Sequence, residues 1–102
     1  MRKPSEDQDL ARLRERILAA DRALLEAFQE RIEVARQIRH HKLERGYELI
    51  DSAREQELLR LWRELAREQI SSDSLRQLFE TVLALSKREA WGEGTGRSES
   101  RR

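Results

Sequence analysis

From Leu10 to Leu43 the chain contains neither Gly nor Pro. Apolar residues recur there in steps of three and four, at Leu10, Ile17, Leu24, Phe28, Ala35 and Ile38, the spacing of one face of an α-helix. A helix of this length spans about 50 Å, whereas a compact 100-residue domain has a radius of gyration of only about 13 Å. One chain alone cannot cover the whole stripe, and a second copy is the most economical partner surface. A homodimer with its long helices packed together is therefore expected. The same seam passes through Arg14, Asp21, Arg31 and Lys42. Burying an unpaired charge is costly, so these cations are either paired within the protein or held ready for an anion.

Three helices of unequal length are predicted, giving an all-α fold of one long and two shorter helices. Residues 1–9 read as a flexible arm, with Asp9 as N-cap of a first helix that continues to about Arg45 and stops at Gly46. Tyr47 to Ile50 form a short connection. Asp51 or Ser52 then caps a second helix running to about Gln69, and Ser52 with Glu55 has capping-box spacing. Its expected buried face is Leu58, Leu59, Leu61, Trp62 and Leu65. The serines of Ile70-Ser71-Ser72-Asp73 cap a third helix with apolar positions Leu75, Leu78, Phe79, Val82 and Leu83, a row that continues to Ser86. The functional domain is thus residues 10–91, and residues 92–102, all Gly, Ser and charge after Trp91 apart from Thr95, read as a disordered tail.

Charge limits the classes of partner. The 21 Lys and Arg residues are interleaved with 20 Asp and Glu, leaving a net charge of +1, so no broad positive field is present to attract nucleic acid. Any anion site must be local. There is no cysteine, which excludes disulfides and thiol chemistry and fits a reducing compartment. The polar start offers no signal-peptide core and no apolar run is long enough to span a membrane, so a cytoplasmic protein is expected.

Arg31 and Lys42 lie eleven residues apart, about 16 Å along one helix face, close enough for both long side chains to lean toward one small anion. The competing reading is that each pairs with a local carboxylate such as Glu30 or Glu44, or with an acid on another helix. Arg14 is about 25 Å from Arg31 along the helix, too far to share a small ligand on one chain but able to reach a partner's site in an antiparallel dimer. Arg54 and Glu55, preceded by Asp51, open the second helix, where exposed N–H groups and an Arg fork suit a carboxylate. Simple capping explains the same residues. Ser86 falls on a buried row, where its hydroxyl can bond back to the preceding turn. His40 and His41 are adjacent and lack the spacing of a two-histidine metal site, so no metal is expected. Trp62 and Trp91 read as packing residues, and Arg97, Arg101 and Arg102 as a solubilising tail.

Taken together, these positions resemble the all-helical chorismate mutases, the AroQ class. The carriers are Leu13-Arg14-Glu15-Arg16-Ile17, Asp21 with Leu24-Leu25, Glu30-Arg31, Lys42, Asp51-x-x-Arg54-Glu55, and Leu78-Phe79 leading to Ser86. The resemblance covers about residues 8–91. It implies an intertwined homodimer with two equivalent sites, each completed by an Arg of the other chain, that rearranges chorismate to prephenate without a cofactor. It implies that Arg31, and Arg14 from the partner, bind substrate carboxylates, and that Lys42 contacts a carboxylate and the ether oxygen. Arg54 and Ser86 would support the other carboxylate, while Glu55 and the backbone near Asp51 would hold the ring hydroxyl. Such a rearrangement needs no nucleophile or proton shuttle, only a selected near-attack shape and cations where the ether oxygen gains charge.

One departure stands out. Four residues after the serine, the family pattern places Gln or Glu against the ether oxygen, and this chain has Ala90. Losing one such donor costs about 10²- to 10³-fold in rate. Weak activity is expected unless a neighbour such as Lys87, Arg88 or Glu89 fills the gap; Ala90→Gln should raise turnover, and no change or a fall would show that the gap is filled otherwise. Two alternatives remain: an isochorismate-pyruvate lyase of the same fold, disfavoured by Glu55, and a noncatalytic helical binding or regulatory dimer whose seam cations are all paired to protein carboxylates. Docking on another shikimate-pathway enzyme is a further possible partnership.

Overall fold

A computed structural model describes residues 3–92. It divides into two units, one up to Glu30 and one from Arg31 onward. The described residues are all helical: a 3-10 turn at Pro4–Glu6, then α1 (Gln8–Arg45), α2 (Ser52–Leu65) and α3 (Ser72–Trp91), with no strand among them. None of these helices is long and apolar enough to cross a membrane. Beyond Gly92 the expected tail lies outside the described residues.

In the first unit the start of α1 differs from expectation. The N-cap is Asp7, whose Oδ1 accepts from the Leu10 N–H at 3.0 Å while its carbonyl accepts from Ala11 N–H. Asp9 instead lies inside the first turn and pairs with Arg12. The reason is local: the Pro4 turn ends with the Asp7 N–H bonded to Pro4 O, leaving Asp7 in the extended conformation that an N-cap requires. Five apolar residues of this unit, Leu13, Ile17, Leu18, Leu24 and Leu25, are at least half exposed in the single chain, while Leu10 and Phe28 are half-buried.

In the second unit α2 packs on α3. Trp62 meets Phe79 edge-to-face with ring centroids 5.1 Å apart, an arrangement that complements the ring quadrupoles. Leu75 and Phe79 are buried as expected, whereas Leu78 and Leu65 face outward, Leu65 at 80% exposure. For Leu65 the outward position follows from where α2 ends. It stops at Leu65, not near Gln69, because Ala66 is extended and caps back to Trp62 O, and residues 66–70 reverse the chain toward the N-cap Ser71.

The end of α1 is a Schellman motif. Gly46 takes a left-handed φ of 72°, its N–H donates to Leu43 O, and the Tyr47 N–H donates to Lys42 O. This reversal sets Lys42 beside the connection it has just entered. Residues of α1 from Arg31 onward meet α3 through long polar side chains: Arg31 reaches Ser86, Arg36 reaches the Glu89 carbonyl, and Arg39 lies over the Trp91 ring. A hollow opens along this polar seam.

Candidate active site

The hollow has a volume of about 210 Å³ and its walls come from all three helices of the second unit. Arg31 and Lys42 enter from α1, Arg54 and Glu55 from α2, and Ser86 and Lys87 from α3; Asp51 and Trp91 also line it. Thus Arg31, Lys42, Asp51, Arg54, Glu55 and Ser86, all singled out in the sequence, face one space. Arg14 belongs to the first unit and is not among the lining residues.

Arg31 is held without being neutralised. Its Nη1 donates to Ser86 Oγ at 2.9 Å, and that hydroxyl donates in turn to Val82 O at 2.6 Å. Ser86 is only 1% exposed. The back-bond expected of a helical serine therefore exists, and the oxygen's remaining lone pairs orient the guanidinium. Burial pulls the Arg31 pKa below its ordinary value, the mark of a cation that has lost water without gaining a counter-charge. A guanidinium still remains protonated, so the site keeps its charge.

Lys42 Nζ donates to the Leu49 carbonyl at 3.2 Å. The carboxylates proposed as competitors are not its partners or those of Arg31. Glu44 pairs with His40 at 3.1 Å, and among the described residues no carboxylate pairs with Arg14, Arg31 or Lys42.

At the start of α2 the capping box does not form. Asp51 is the N-cap, its Oδ1 accepting from Arg54 N–H at 3.1 Å. Ser52 is then the first helical residue, and Glu55 is released to face the hollow. Arg54 pairs with Glu57 at 3.3 Å, with both side chains more than half exposed. Such a surface pair contributes little and exchanges readily for another carboxylate.

Two lining residues carry more weight than the sequence indicated. Lys87 donates to Glu55 Oε2 at 2.5 Å, each side chain 30% exposed. Trp91 forms part of the wall, not merely the end of a helix, and Lys87 Nζ lies 5.7 Å from its ring centroid. Position 87 follows the buried Ser86 directly, but whether so flexible a stem turns inward is not written in helical spacing. Four cations (Arg31, Lys42, Arg54, Lys87) and two carboxylates (Asp51, Glu55) line the hollow, which leaves two positive charges over. Two larger hollows lack this balance: one is lined by Glu6, Asp7, Gln8, Asp9 and the already paired Arg12, and the other has Lys42 as its single cation. No cluster of three or more His, Cys, Asp or Glu side chains able to hold a metal exists among the described residues.

Compared with known families, the chain matches chorismate mutase type II over residues 13–90. The chain belongs to the type II chorismate mutase family. The match spans the segment from just before Arg14 to Ala90 and so contains every cation of the hollow. The all-helical AroQ architecture of that family agrees with the three helices found here. No curated protein and no solved structure matches the chain.

Proposed function

We propose that the protein is a chorismate mutase that converts chorismate to prephenate by electrostatic preorganisation. The observation that carries this reading is Arg31: a partly desolvated guanidinium, oriented by the buried Ser86 and with no carboxylate partner among the described residues, at the wall of a cation-rich hollow. Holding a charge this way costs stability, and a bound carboxylate offsets that cost.

The reaction is an internal rearrangement. The ring carbon–oxygen bond of the ether breaks while a carbon–carbon bond forms to the side chain, and the departing oxygen becomes the keto oxygen of the pyruvyl group. No proton, electron or outside group is exchanged. Arg31 and Arg54 would take the two carboxylates, because a guanidinium fork matches a carboxylate in two-point geometry. Lys42 would stabilise charge on the ether oxygen. Glu55 would accept from the ring hydroxyl through Oε1, since its bond to Lys87 engages only Oε2. Fixing the flexible dianion in a compact near-attack shape supplies the other part of the acceleration.

The working unit in this reading is a homodimer. Five apolar side chains at least half exposed along residues 13–25 support it, since burying each such side chain contributes roughly 1.5–3 kcal/mol. Arg14 from the second chain would complete the site. A purely structural dimer would instead pair Arg14, Arg31 and Lys42 with acids of the second chain and would gain no stability from a dicarboxylate.

The deciding experiment is steady-state consumption of chorismate by the purified protein, with Arg31→Ala as control and isochorismate as competing substrate. Prephenate formation that is lost in the variant supports the reading. Absence of chorismate turnover, or salicylate and pyruvate from isochorismate instead, would overturn it.

A further inference from the structure

We infer that Lys87 is a catalytic residue of this site, its ammonium donating, together with Lys42, to the ether oxygen as that oxygen gains negative charge. The inference rests on the mutase reading above and extends it to a residue that reading does not need.

The argument begins with space. A hollow of about 210 Å³ is smaller than the roughly 300–1,000 Å³ typical of sites for drug-sized ligands, so a guest that fills it lies against every wall. Lys87 is one of those walls. Its ammonium is fixed, bonded to Glu55 Oε2 at 2.5 Å and seated 5.7 Å from the Trp91 ring centroid. A donor already held in place needs no reorganisation when charge develops, which is the condition for effective electrostatic catalysis.

Chemical type then separates the roles. The hollow offers two guanidiniums, Arg31 and Arg54, and two ammoniums, Lys42 and Lys87. Guanidiniums suit carboxylates, of which the substrate has two, while an ammonium is a compact point donor suited to a single oxygen. Lys87 has three N–H donors and uses one on Glu55. Ala90, one helical turn further along α3, does not line the hollow, so no donor arrives from there. Lys87 also supplies the second of the two excess positive charges. Without it the lining holds one.

The test compares kcat and KM for chorismate in wild type, Lys87→Met, Lys87→Arg and Ala90→Gln, and in the Lys87→Met/Ala90→Gln double variant. Affinity for an oxabicyclic dicarboxylate transition-state analogue is measured alongside. Lys87→Met is expected to lower kcat about 10²-fold with a much smaller change in KM, and to weaken analogue binding in parallel with kcat. Lys87→Arg should retain most of the activity lost in Lys87→Met. Ala90→Gln should change wild-type kcat less than about threefold yet restore much of the loss in Lys87→Met, because both side chains would serve one oxygen. A Lys87→Met variant with wild-type kcat, or one altered in KM alone, overturns the assignment while leaving the mutase reading intact. Wild-type protein without turnover overturns both. If Lys87→Met fails to fold by circular dichroism, the same criteria apply to Lys87→Ala, a smaller side chain that likewise has no donor.

Discussion

Arg31 and Ser86 are 55 residues apart in the chain, and the guanidinium of one donates to the hydroxyl of the other at 2.9 Å. Neither residue explains itself. Ser86 is a polar side chain in the most buried position described, and Arg31 is a partly buried cation with no carboxylate partner among the described residues. Each resolves the other's irregularity in part, and the charge left over faces the hollow.

Replacing Arg31 with Met should separate stability from function. The neutral side chain removes an uncompensated cation while Ser86 keeps its bond to Val82 O, so the apo protein should melt no lower than wild type, and up to about 1 kcal/mol more stable. Chorismate turnover should fall by about 10³-fold or more. Because folding lowers this pKa, its penalty is present at every pH below the folded value. A guanidinium stays protonated across roughly pH 6 to 9, so the stability difference between the two proteins should be flat there. Thermal melts across that range, with parallel rate measurements, check both parts.

Ser86→Ala should act chiefly on substrate. The hydroxyl's bond to the preceding turn adds little to helix stability, so the melting point should move by only a few degrees. Losing the bond that aims Arg31 should reduce kcat/KM by about tenfold, the value of one hydrogen bond to a charged group. A loss in stability without a change in kcat/KM would refute the orienting role.

Asp51 both caps α2 and lines the hollow, and two substitutions divide these tasks. Asp51→Ala should cost about 1 kcal/mol, or about 4–8 °C in Tm for a domain of this size. Asp51→Asn preserves the cap and should melt near wild type. Activity lost equally in both variants would mean that the charge itself serves the substrate.

Introducing a charge on the exposed stripe tests the dimer. Ile17→Glu and Leu24→Glu should convert a dimer to monomers by sedimentation at micromolar concentration, with turnover lost in proportion. A wild-type protein that sediments as a monomer and still turns over chorismate would refute the shared site.

Ligand binding should register as stability. An oxabicyclic dicarboxylate at about 100 times its Kd should stabilise the folded protein by about 2.7 kcal/mol, and Arg31→Met should abolish the shift. Scanning calorimetry with and without the ligand measures it.

The helices, their approximate ends and six of the eight residues named as lining the hollow had been singled out in the amino-acid order, because helical period, caps and left-handed glycine stops are decided within a few residues. Leu10 to Leu43 could be little else than helix, and Gly46 ends it where a left-handed residue is required. Local rules also set the limits of that reading. Asp7 and Asp9 are both good caps, and the Pro4 turn chose between them. Ser52 and Glu55 had the spacing of a capping box, but Asp51 took the cap and Glu55 turned to a lysine 32 positions later. Long flexible side chains such as Lys87 and Arg31 have many rotamers, so their partners follow from which helices approach and how closely. Periodicity placed the cations on the seam; only the packed arrangement of α1, α2 and α3 in the second unit determined which carboxylates they would meet, and left Arg31 and Lys42 with none among the described residues.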